Sequence, residues 1–225
     1  MSLRGFKMLW RISPILLFTT INTFAQNAKH VLLTKALKDS LKNEVEIMLA
    51  NDQKYSWMIM FGETDDNKLA ELRKTNEADQ FKRMKDVRDN KVGISQSAKD
   101  SLWQLQGALD SANFIEMAGI MYKYGYPKKY IEAFKVSVIF LHASLHLMTP
   151  DFFKKLKEEV LDGNMPAMEY ATIYDKQQVN NKLPELYYVL EHFDTKTNTS
   201  AIGKPKDLEA TNKAREEIGL KKLKG

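Results

Sequence analysis

The chain contains no cysteine in 225 residues. That excludes a disulfide framework, a thiol nucleophile, a zinc–thiolate site and a lipid anchor on cysteine. Histidine is also scarce, with four in all. No P-loop, no Rossmann glycine pattern and no nucleophile elbow occurs anywhere in the sequence. No alternating run of five or more residues argues for a real sheet. The longest apolar stretch is about 13 residues, short of the roughly 20 that a transmembrane helix needs. Internal repeats, low-complexity tracts and long linkers are missing too.

What is present is a globular composition, 44% hydrophobic and 28% charged. The first residues, "MSLRGFKMLWR", carry Arg4, Lys7 and Arg11 and no acid, and "ISPILLFTTINTF" follows. A basic region, a short apolar region and small residues before Gln26 are the ordered parts of an export signal. Cleavage is expected after Ala25, leaving residues 26–225 as one helical domain, periplasmic or extracellular, with no stable membrane span. Lys and Arg total 34 against 29 Asp and Glu. Without the three leader bases the balance is 31 to 29, a net charge of +2. The basic character is therefore partly the leader's, and nucleic-acid binding loses most of its support. A chain of about 200 residues without cysteine must be held by its hydrophobic core alone.

The periodicity predicts a mainly α protein. Val31, Leu33, Ala36, Leu37, Leu41, Val45, Met48 and Leu49 recur at helical spacing, and "FGETDDN" breaks that segment. The charged stretch from Asn67 to Lys91 reads as an exposed or mobile helix. Ser97 is expected to cap a helix to about Leu109, and Asp110 a further one ending at Gly125. "KYIEAFKVSVIFLHASLHL" is apolar nearly all round and reads as a buried central helix. Thr149, Pro150 and Asp151 open another, which stops at Gly163, and Asn164 is the expected cap of a helix running to about Asn181. A short irregular strand or hairpin is expected near 183–205, with "LYYVLEHF" the best strand candidate. A final helix should end at Gly219.

His142 and His146 stand four apart in the central apolar run. On a helix they share a face and could chelate one metal, as in H-E-x-x-H sites. Here the string is H-A-S-L-H, and Ala143 replaces the glutamate base, so a metalloprotease is excluded. A plain metal site would need a third ligand. His192, Asp175, Glu191 and Asp151 are candidates, but no spacing rule brings them together, so no metal is assigned and no cofactor is expected. The plainer alternative makes His146 a helix-end residue and His142 a hydrogen-bonded core histidine. Asp175, in "ATIYDKQQ", could orient His142 as a buried carboxylate orients a general base. Equally, it could sit beside Lys176 on a solvated face.

Several fragments, in order, resemble a bacterial domain-of-unknown-function family, number 6624 in its series. They are "NDQKYS" with Asp52 and Gln53, "YGYP" at Gly125–Pro127, "LHAS" at His142, "IYDK" at Asp175 and Lys176, "ELYYVL" around Tyr187, and "NKAREEIGL" with Arg215, Gly219 and Leu220. The resemblance spans most of the chain after the leader. It implies a helical fold with a cleft lined by His142, Asp175 and Tyr187 and supported by Arg215. It implies no particular activity. The chain departs from the family pattern at Ser144, at Lys176 and at Tyr188–Leu190. Lysine lacks the planar fork with which arginine grips a carboxylate or phosphate.

Two functions from different classes remain. The first is a non-catalytic protein that binds a small polar ligand or an envelope partner in a cleft lined by His142, Asp175 and Tyr187, with Lys176, Arg215 and His146 as further ligand-binding residues. The second is a metal-independent hydrolase or transferase with His142 as general base, Asp175 as its orienter, and Lys176 or Arg215 holding an anion.

Overall fold

The computed structural model describes residues 33–127, 131, 133–194 and 199–224, with no account of the side chains at 133–135 and 194. The expected leader at 1–25 and residues 195–198 of the expected strand or hairpin region lie outside the described residues.

Among these residues the protein is mainly α, with one antiparallel strand pair. Most helices begin where the sequence supplies a cap. Thr34 opens α1 (Lys35–Asp52), and its hydroxyl accepts the Leu37 N–H. α2 (Lys54–Phe61) follows after one intervening residue, Gln53, and ends at Gly62, whose φ of 61° is left-handed. Asp65 caps α3 (Asp66–Leu72) and Asn76 caps α4 (Glu77–Arg88). The charged stretch expected to be exposed or mobile is thus two capped helices. Together with α2 they enclose a second apolar cluster of Met58, Ile59, Phe61, Leu69 and Leu102.

The two helices expected on either side of Asp110 are one. α5 (Gln96–Tyr124) runs unbroken for 29 residues, roughly 43 Å at 1.5 Å per residue. Its cap is Ser95, not Ser97. An aspartate in mid-helix did not act as a cap because apolar packing on both sides of it favours continuation. Leu102 joins the smaller cluster, while Phe114, Met117, Ile120 and Met121 enter the main core.

The central helix is shorter than its apolar run. α6 (Ala133–His142) stops at His142; Ser144 is extended, and Leu145–Leu147 form a single 3₁₀ turn. Thr149 and Pro150 then start α7 (Pro150–Leu161), and α8 (Ala167–Asn180) begins after Pro166 rather than at Asn164. The rings of Phe114, Phe140 and Phe152, from α5, α6 and α7, meet at centroid distances of 4.9–5.8 Å at the heart of the main core.

The strand pair is β1 (Glu191–Asp194) with β2 (Thr199–Ile202), Glu191 opposite Ile202. Of "LYYVLEHF", only its last three residues belong to a strand. α9 (Leu208–Glu217) closes the described chain. It ends with Gly219 at φ 80° and with bonds from the Leu220 N–H to the Arg215 carbonyl and from the Gly219 N–H to the Glu216 carbonyl, the pattern of a Schellman cap. No helix among the described residues is long and apolar enough to cross a membrane.

Candidate functional site

The break between α1 and α2 is where polar groups gather. A helix end leaves carbonyls without partners and a helix start leaves N–H groups without partners. Here one buried side chain from α5 serves both. Gln106 accepts the Tyr55 and Ser56 N–H groups on its oxygen, at 3.1 and 3.0 Å. Its amide nitrogen donates to the Asp52 carbonyl at 2.5 Å and to the Asp110 carboxylate at 2.6 Å. Gln106 thus splints the break and fixes the residue that ends α1.

That residue is Asp52, whose side chain is only 3% exposed. Its Oδ2 lies 2.7 Å from His142 Nδ1, at the end of α6. The Gln53 amide nitrogen approaches the same oxygen at 3.1 Å and the same ring nitrogen at 2.8 Å. The two contacts compete for the ring: the Gln53 amide could donate to Nδ1 only if that atom were bare, whereas the Asp52 carboxylate, which only accepts, needs a proton there, and we assign the proton to Nδ1 because the charge-assisted bond is the stronger. This leaves Nε2 as the ring atom with a free lone pair. The His142 side chain is 30% exposed, enough to meet a solute. A buried carboxylate that fixes the tautomer of a partly exposed imidazole is the geometry of an oriented general base.

Asp110 stands beside the pair, half-buried on α5. Burial pushes its carboxyl above the ordinary value against the Gln106 hydrogen bond; the Asp52 charge adds to the rise and His142 opposes it. Asp52 Oδ1 and Asn113 Nδ2, both buried, make no hydrogen bond.

The other expected site residues lie elsewhere. His146 is exposed in the 3₁₀ turn, off the helix that carries His142, so the two histidines share no helical face. Asp175 does not orient His142. Its carboxylate has no exposed surface and accepts the backbone N–H groups of Leu186, Tyr187 and Val189 at 2.9, 3.0 and 3.2 Å. Burial raises its pKa; the three N–H donors oppose that rise. Tyr187 lines no cleft. It is 2% exposed, packed edge-on against Tyr170 and Tyr174, and burial drives its hydroxyl pKa upward.

Arg215 is buried and donates to the Tyr187 carbonyl at 2.5 Å and the Lys221 carbonyl at 2.7 Å, so its fork holds backbone rather than a ligand. Burial lowers its pKa and the nearby Asp175 charge counters this. Lys176, the residue after Asp175, is exposed. Asp175 and Arg215 form a clamp that fastens the 186–190 loop to α8 and α9. "YGYP" is fastened in the same manner, with the Tyr126 N–H on buried Glu159 at 3.0 Å and the Tyr126 hydroxyl on Glu169 at 2.8 Å.

Asp52, Gln106 and Asp110 were not recognised from the sequence as members of a site. Their signal was there. Gln106, Asp110 and Asn113 recur at i, i+4 and i+7, polar groups that share one stripe of α5. The described residues contain no group of three or more His, Asp or Glu side chains able to hold a metal ion. No family model, curated protein or solved structure matches the chain.

Proposed function

We propose that the domain acts on a small polar substrate at the Asp52–His142 pair, as a hydrolase or transferase in which His142 Nε2 is the general base. One observation carries this reading: the 2.7 Å contact that commits Nδ1 to a buried carboxylate while the ring remains partly exposed. No serine or threonine hydroxyl bonds to His142 among the described residues, so water or a hydroxyl of the second substrate is the group it would deprotonate. The leader at 1–25 supports action outside the cytoplasm. The resemblance to family 6624 supports the same site, because its Asp-Gln step and its His step are the two segments that meet here. On that basis we read the chain as a divergent member.

The test is turnover of a panel of neutral esters, amides and glycosides by the wild type and by His142→Ala. General-base catalysis predicts a loss of roughly 10²–10⁴ in kcat/KM. Undiminished turnover in the variant would overturn the reading.

A second reading is ligand binding without chemistry, to which the lack of a protein nucleophile bonded to His142 among the described residues lends support. It predicts a ligand that stabilises the wild type but not His142→Ala, with no product formed.

A further inference from the structure

A base accounts for half of a hydrolytic proton inventory. When a nucleophile loses its proton, the leaving group must gain one. Three observations single out the donor. Asp110 shares Gln106 with Asp52: the same amide nitrogen reaches the Asp52 carbonyl at 2.5 Å and the Asp110 carboxylate at 2.6 Å. The titratable groups acting on Asp110 from the packed helices are Asp52 of α1 and His142 of α6. Asp110 is half-buried and not sealed from solvent, and the His142 side chain is 30% exposed.

We propose that Asp110 is the proton-donating carboxyl of the site and the counterpart of His142, a role that rests on the general-base reading above. The step balances without a further reactant. The nucleophile's O–H proton passes to Nε2, and the freed electron pair forms the new bond to the substrate. The broken bond's pair leaves with the leaving group, which takes the Asp110 proton. His142 then returns its proton to Asp110 through solvent. The substrate class that follows is one whose leaving group needs a proton, an alcohol or an amine. Two carboxyls in the site, with His142 as the single potential cation in its hydrogen-bond network among the described residues, disfavour an anionic substrate.

The upward shift at Asp110 agrees with this assignment.

The experiment is an NMR pH titration of the protein, following the Asp110 carboxyl carbon and the His142 ring, in the wild type, Asp110→Asn and Asp100→Asn. Asp100 is an exposed control on the same helix. The expected result is an Asp110 midpoint raised far enough that Asp110 keeps its proton where His142 is neutral, with the His142 midpoint unmoved in both variants, because a protonated carboxyl carries no charge for Asp110→Asn to remove. Asp110 titrating near 4 or below, or a His142 midpoint that falls in Asp110→Asn and not in Asp100→Asn, shows an ionised Asp110, overturns the proposal and leaves His142 as base intact. A His142 ring that never titrates overturns both.

Discussion

Asp52 Oδ2 and His142 Nδ1 lie 2.7 Å apart, although 90 residues separate them in the chain. The contact exists because α1 ends at Asp52 and α6 ends at His142, so each side chain sits at a helix terminus rather than within a helix. It joins a group with almost no exposed surface to one that meets solvent. Such a pair contributes little certain stability, since burying the carboxylate opposes the attraction. Its consequence is orientation.

The splint at the helix break is the first prediction. Gln106→Ala would leave the Tyr55 and Ser56 N–H groups without their acceptor and leave the Asp52 carbonyl only the long bond from the Gln53 amide. A loss of roughly 3 kcal/mol is expected, because each orphaned buried group costs about 1–3 kcal/mol. Denaturant unfolding measures it. A loss under about 1 kcal/mol would mean that water replaces the amide.

The loop clamp is the second. Asp175→Ala removes the acceptor of three backbone N–H groups, and a loss of about 3 kcal/mol or more is expected. Amide hydrogen exchange should rise at Leu186, Tyr187 and Val189 and remain unchanged in α1. Exchange unaltered at those three amides would contradict the clamp.

Glu159 supplies a pH dependence. Burial alone would raise this carboxyl, but Lys155 at 2.7 Å, the Tyr126 N–H and the Asn164 amide outweigh it and hold the folded value below the ordinary 4.5. A depressed folded value means that the unfolded chain binds the proton more readily. The contribution is therefore complete above the unfolded value and disappears as pH falls through the lower folded one. Stability measured from pH 6 downward should decline more steeply in the wild type than in Glu159→Gln. Parallel curves would contradict this.

The glycines separate by backbone. At Gly62, φ is +61° and an added Cβ would lie 2.5 Å from the Gly93 Cα, so Gly62→Ala should be strongly destabilising. Gly107 and Gly119 lie within α5 with nothing within 4 Å of an added Cβ. Each change to Ala there should stabilise by about 0.5–1 kcal/mol. Thermal unfolding of the three variants checks the signs.

The helical class was legible because periodic apolar residues and caps such as Thr149–Pro150 are local signals. The hairpin was legible only as a region, since "LYYVLEHF" carries strand-like residues whose backbone is committed to Asp175 instead. His142 was legible as a polar residue in an apolar run. Its partner was not, because no local rule links residues 52 and 142. Asp175 was the nearer guess, and the structure uses it to tether a loop. The i, i+4 spacing of His142 and His146 misled for a similar reason. The run is apolar enough to continue as a helix, yet the chain must turn at Ser144 to bring α7 against the core.

The most direct measurement is the tautomer of neutral His142, read from its ring ¹⁵N shifts, in the wild type and in Asp52→Asn. The account predicts a proton on Nδ1 and a bare Nε2 in the wild type, with that preference weakened or reversed in Asp52→Asn. A wild-type ring protonated on Nε2 would contradict it, because the atom offered to solvent would then be a donor and not a base.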